Sequence, residues 1–111
     1  MPTRTTTNVR DIRNSLGVSR KVFSRLTGFS ERSIADWEAG KGLAPGTLAK
    51  MREIKRLYDA LAKVMGPSCV GTWLENPNEA FDQLKPLEVI ERGEMDRIWR
   101  MILFLESGVS S

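Results

Sequence analysis

Residues 16–42 read LGVSRKVFSRLTGFSERSIADWEAGKG, and the spacing inside this stretch decides the fold. Ser19 is a residue type that caps a helix by accepting a hydrogen bond from its first turn, and Val22, Phe23 and Leu26 follow on one helical face. Gly28 then offers the left-handed backbone conformation that a side chain resists. Ser30 opens a second series, with Ile34 and Trp37 inward and Gly40 at its end. Two short helices joined by a glycine-containing turn are the arrangement that lays a second helix in the major groove of DNA. Ser24 is small enough to let the two helices approach closely. With Ile34 and Trp37 anchored, Glu31, Arg32, Ser33 and Asp36 are left facing outward.

The reading extends both ways from there. Asn8 caps a first helix striped by Val9, Ile12 and Leu16 and closed by Gly17, while polar, Thr-rich residues 1–7 read as a loose arm. From Pro45 or Thr47 a long helix runs to about Met65, its apolar positions Leu48, Met51, Ile54, Leu57, Tyr58, Leu61, Val64 and Met65 spaced by three or four. The GPS at 66–68 breaks it and divides the chain into residues 1–65 and 66–111. No segment alternates as a strand would, so the expected fold class is all-α.

Composition narrows the chemistry. A chain of 111 residues fits one ordinary domain or two very small ones. It holds no apolar run near the roughly 18 to 20 residues that span a bilayer, and its N-terminus lacks a signal-peptide pattern, so the expected compartment is the cytoplasm. The single Cys69 has no internal disulfide partner. Histidine is absent, which removes the usual general base near neutral pH and the commonest transition-metal ligand. Glu88 and Glu91, beside Arg92 and Glu94, read as a solvated helix face. No catalytic residue, cofactor or metal is expected. Charge is uneven: residues 1–56 carry 12 Lys+Arg against 5 Asp+Glu and residues 57–111 carry 5 against 9, so +7 and −4 make up the net +3. A basic front half implies a polyanionic partner.

The last 45 or so residues are too few to bury a core of their own easily. Yet they carry Trp73, Leu74, Phe81, Leu84, Leu87, Val89, Ile90 and a closing helix. On that helix Met95, Ile98, Trp99, Ile102 and Leu105 form one stripe, with Met101, Leu103 and Phe104 off it. Apolar surface on nearly every side needs cover on nearly every side, part of it from the long helix and part from another chain. Trp73 and Phe81 are expected in a small core. The last helix and its tail are the better contact candidates, with Trp99 open to either role.

Two resemblances sharpen this reading. Residues 16–42 resemble the Xre-type, lambda-repressor-like helix-turn-helix: Leu26, Thr27, Gly28, Ser30, Ile34, Trp37, Glu38, Gly40 and Lys41 match in register, with Phe23 and Ser24 in the Leu-Ala positions. The resemblance implies base reading by Arg20, Glu31, Arg32, Ser33 and Asp36, and phosphate contacts from Ser19, Lys21, Ser30 and Lys41. Arg32 is the best candidate for a bidentate contact to guanine. Glu31 and Asp36 depart from the family, which often has basic or neutral residues there. A carboxylate facing DNA is repelled unless it accepts from a cytosine amino group, although Glu31 also suits a helix N-terminus.

Residues 73–108 resemble the C-terminal, toxin-binding domain of Xre/ParS-type antitoxins, through Trp73, Leu74, Pro77, Asn78, Phe81, Pro86, Leu87, Gly93, Glu94, Ile98 and Gly108. The FDQLK at 81–85 departs from a Gly-containing stretch in many members. The two modules in this order resemble antitoxins that bind a RES-domain toxin, an NAD-consuming enzyme, and cover its active-site entrance. Such antitoxins also repress their own promoter. The resemblance implies a RES-type toxin, operator DNA and a second copy of the chain as partners. Position and resemblance together select Trp99, Met101, Leu103, Phe104, Glu106, Ser107, Gly108, Val109, Ser110 and Ser111 for toxin or dimer contact. Two rivals stand beside this reading: a stand-alone dimeric repressor, and an adaptor that inhibits an enzyme without binding DNA.

Overall fold

The computed structural model describes residues 8–107, and these form seven α-helices with two short 3-10 turns. In order they are α1 (Val9–Leu16), α2 (Arg20–Thr27), α3 (Glu31–Glu38), α4 (Pro45–Met65), α5 (Val70–Leu74), α6 (Pro86–Glu91) and α7 (Met95–Glu106). The 3-10 turns are Pro67–Cys69 and Glu79–Phe81. The fold is all-α, and the single β-type pairing among the described residues is the isolated bridge Asn78–Leu84. The arm at 1–7 and the tail at 108–111 lie outside the described residues.

The first three helices start on their capping side chains. Asn8 accepts from the Asp11 N–H at 3.1 Å, Ser19 from Val22 at 3.2 Å and Ser30 from Ser33 at 3.0 Å. Each such cap satisfies a donor that the first helical turn would otherwise leave unpaired. Gly28 ends α2 at φ 84°, a left-handed conformation, with its N–H on the Ser24 carbonyl. The turn into α3 is then locked from inside. Thr27, buried, donates its hydroxyl to the Phe23 carbonyl at 3.0 Å and accepts from the Phe29 N–H at 3.2 Å. Ser24 adds a hydrogen bond to the Phe29 carbonyl, and Phe29 meets Trp37 edge to face at 5.0 Å. The small hydroxyl therefore does more than make room: it ties α2 to the turn.

The long helix α4 starts on Pro45, where a missing N–H costs nothing, and buries Met51, Ile54, Leu57 and Leu61. Core residues from both sides of Gly66 belong to one cluster, Phe23, Ile34 and Leu57 with Val70, Leu74, Leu87 and Ile98. The rear segment thus shares its interior with the front, as its small size requires. The two segments pack backbone to backbone at Gly71 in α5. A Cβ there would collide with the backbone oxygen of Leu16 at the end of α1. Phe81 is buried and faces the half-buried Trp73 edge to face at 6.1 Å.

Two sequence expectations are corrected here. Leu105 was placed on the inward stripe of α7 but is 46% exposed. Trp99 lies beside Arg56 of α4 and Leu105 beside Val64, so the last turn of α7 reaches the level where α4 stops at Met65. Its inward face has run out of neighbour. Glu88 and Glu91 are not a plain solvated face either. Glu88 accepts from the Lys85 N–H at 2.8 Å and caps α6, and the two oxygens of Glu91 accept from Nε and Nη2 along one edge of the Arg25 guanidinium, at 2.8 Å each.

Candidate functional site

The residues selected for nucleic acid sit on α2, α3 and the loop after them. Arg32 and Glu31 are exposed on the first turn of α3, and no ion pair engages Arg32 among the described residues. Ser33 is half-buried and its hydroxyl shares a 3.0 Å hydrogen bond with that of Ser30. Asp36 is half-exposed and lies 3.6 Å from the Lys41 ammonium, which offsets part of the charge that would face DNA. Ser19 and Lys21 are exposed at the start of α2. Arg20 is held differently from the rest, because its guanidinium rests on Glu38.

Glu38 is the charged group that sequence reading left without a task. Its side chain is 0% exposed. Arg13 of α1 grips both carboxylate oxygens, Nε at 2.6 Å and Nη2 at 3.1 Å, and also donates to the Val18 carbonyl at 3.1 Å. Arg20 of α2 reaches Oε1 of the same carboxylate through Nε and Nη2, both at 3.0 Å. Arg10 donates to the Glu38 backbone carbonyl at 3.2 Å. Three arginines from two helices thus converge on the last residue of the third. A buried carboxylate is tolerated only when its oxygens are fully paired, as here. The available signal was an acid directly after the anchoring Trp37, in a front half rich in arginine.

The hydrogen bond from Arg13, helped by Arg20 and opposed by burial, holds the Glu38 carboxyl below the ordinary carboxylate range. A folded-state value below the unfolded value of about 4.3 means stability that is present above that pH and lost as pH falls through the folded value. Glu38→Gln is therefore expected to flatten the loss of stability below about pH 4.3. Glu38→Ala should cost about 2 kcal/mol at neutral pH, less than a fully buried pair because both arginines keep an edge in solvent. Thermal midpoints of the three proteins from pH 3 to 7 check both statements.

The second candidate surface is the end of α7. Ile98 and Ile102 are buried, whereas Leu103 is 61% exposed and Phe104 65% exposed. Together with Leu105 they make three adjacent apolar side chains open to solvent, next to a depression of about 570 Å³ lined by Lys63, Val64, Leu105 and Glu106. Trp99 is half-buried with the Arg56 guanidinium 6.0 Å from its ring, and Met101 is half-buried against the core. Trp99 and Met101 thus sit largely in the fold's own packing. Glu106 and Ser107 are exposed, and Gly108, Val109, Ser110 and Ser111 lie outside the described residues. Between Trp99 and Leu103 on one flank and Phe104 on the other runs a charged ridge, Arg100 to Asp96 at 3.2 Å.

Among the described residues no group of three or more Cys, Asp or Glu side chains comes together as a metal site would require, and no helix is long and apolar enough to cross a membrane.

No protein-family model matches the chain. Curated relatives do: the mycobacterial cidal antitoxin MbcA of Mycobacterium bovis, and the same protein in two Mycobacterium tuberculosis strains. Each is 32% identical over 96 residues, which spans 85% of this chain and 84% of the relative. Among solved structures, a chain in the crystal structure of the M. tuberculosis MbcT–MbcA toxin–antitoxin complex superposes with a TM-score of 0.73 at 27% identity, over 91% of this chain and 92% of that one. Identity and shared length at this level place the chain in the MbcA antitoxin family.

Proposed function

We propose that this protein is the antitoxin of a two-protein system, a binding protein rather than an enzyme, which sequesters a toxin and represses the promoter of the pair. The observation that carries the proposal is the end of α7, where Leu103, Phe104 and Leu105 are all exposed although Ile98 and Ile102 of the same helix are buried. Exposed aromatic and aliphatic side chains gathered at one helix end mark a contact surface, since water gains from their removal and the fold itself does not cover them. MbcA is named with a toxin, MbcT, in the related crystal structure, which supports a toxin as the occupant. Glu106 and Ser107 follow, and then residues 108–111, small enough in type to enter a cleft.

The toxin class that fits the sequence resemblance is the RES-type, NAD-consuming enzyme, working in the cytoplasm beside its antitoxin. In the division of labour we propose, residues 66–111 hold the toxin and a second antitoxin copy. Residues 1–65 form a helix-turn-helix that docks α3 on operator DNA, with Arg32 reading a base and Lys21 and Lys41 on phosphates. Support comes from the exposed Arg32 on the first turn of α3, which has no ion pair among the described residues, and from the α2–turn–α3 geometry.

Co-expression with the neighbouring toxin gene tests the first half: growth arrest should be relieved and the two proteins should co-purify. A chain that neither rescues growth nor retains the toxin would leave only a repressor. For the second half, Lys21→Ala should weaken binding to every duplex alike and lower the slope of log K against log salt by about 0.9. Arg32→Ala should relax preference at one base pair by about 1–3 kcal/mol. Binding without any salt dependence would rule out docking on the phosphate backbone.

A further inference from the structure

We infer that Glu38 is a positioning residue for DNA recognition: its buried carboxylate fixes Arg20 as a rigid, outward-facing fork at the start of α2. The inference rests on the DNA-binding reading above and deepens it.

The geometry assigns the two arginines different tasks. Arg13 is 19% exposed and already engages the Glu38 carboxylate and the Val18 carbonyl, so most of its donors are committed to the fold. Arg20 is 45% exposed and touches Glu38 through Nε and Nη2 only. A guanidinium has five N–H donors in one plane, so holding the Nε edge leaves the Nη1 group and one Nη2 hydrogen unclaimed by Glu38. That remaining pair has the spacing that matches a phosphate or the O6/N7 edge of guanine.

An unrestrained arginine loses considerable rotamer freedom when it grips a ligand. Here that loss occurs on folding, because a carboxylate with no access to water has no alternative partner to offer the chain. Glu38 in turn cannot drift, since it is the last residue of α3 and Arg10 and Arg13 of α1 hold its backbone and side chain. The fork of Arg20 is thereby set at a fixed offset from the exposed Arg32 on the same α2–α3 unit. Lysine in place of Arg20 would keep the charge and lose the fork.

The experiment uses the full chain and labelled duplexes: its own promoter region and a scrambled duplex of equal length. Affinities are measured for wild type, Arg20→Ala, Arg20→Lys, Glu38→Gln and the double variant, across a salt series. Circular dichroism and toxin retention report on the fold. Wild type should prefer the promoter. Arg20→Ala should lose roughly tenfold of that preference. Arg20→Lys should retain the salt slope while losing a similar preference. Glu38→Gln should lose preference in the wild-type background and less than about twofold in the Arg20→Ala background, because it acts through Arg20. An equal cost of Glu38→Gln in both backgrounds would mean that it serves the fold alone, and overturns the inference. Full preference retained in Arg20→Ala overturns it too. A wild type with no promoter preference overturns the inference together with the DNA-binding reading, a result distinct from the other two.

Discussion

Phe104→Asp is expected to leave the helical fold intact and to weaken capture of the cognate toxin by about 100-fold or more. The two halves of that expectation come from the same number. At 65% exposure the ring has little packing to lose within the chain, so the folded state should change by less than about 0.5 kcal/mol. At the centre of an interface, by contrast, a lost aromatic anchor commonly costs 2 kcal/mol or more. A carboxylate pressed against apolar surface adds a desolvation penalty on top. Leu103→Asp, on the neighbouring flank of the Arg100–Asp96 ridge, tests whether one side of α7 or both are covered. Ile102→Asp is the contrast, because that residue is 1% exposed and its change should unfold the chain. Calorimetric titration with purified toxin, together with a thermal melt of each variant, makes the comparison. If Phe104→Asp binds and neutralises as well as wild type, the bare end of α7 is not the toxin contact.

Gly71→Ala should destabilise the protein by about 2–3 kcal/mol. The added carbon would meet the Leu16 carbonyl oxygen, which is backbone and cannot rotate aside as a flexible side chain would. Either α5 retreats from the end of α1 or α1 frays, and both open the core shared by Leu16, Val70 and Leu74. For a domain of this size the loss corresponds to a fall of roughly 10 °C in the melting midpoint. Gly46→Ala supplies the control. It lies in the first turn of α4 with open space around it, so alanine there should be neutral or stabilising by up to about 1 kcal/mol. If the two variants melt alike, the front and rear segments are not in the contact described.

Arg25 and Glu91 fasten the same two segments from the solvent side, 66 residues apart in sequence and joined by two 2.8 Å hydrogen bonds. Both side chains are more than a third exposed, so the bridge fixes orientation more than it stabilises.

The sequence by itself determined the first four helices and their ends. Asn8, Ser19, Ser30, Gly28 and Pro45 act within three or four residues of where they stand, and caps and apolar periodicity need no distant partner. For the same reason the inward faces of α1 to α4 and the exposed Arg32 were legible before any coordinates. Only the tertiary structure decided which groups are used up inside the fold. The Glu38 carboxylate became a hub because α1 and α2 each bring an arginine to it, and Glu91 found Arg25 because α6 packs on α2. Gly71 mattered because α5 ends its approach against a backbone oxygen, and Leu105 stayed bare because α4 stops at its level. Burial and ion pairing depend on where a second helix ends in space, and helical spacing along one segment carries no information about that.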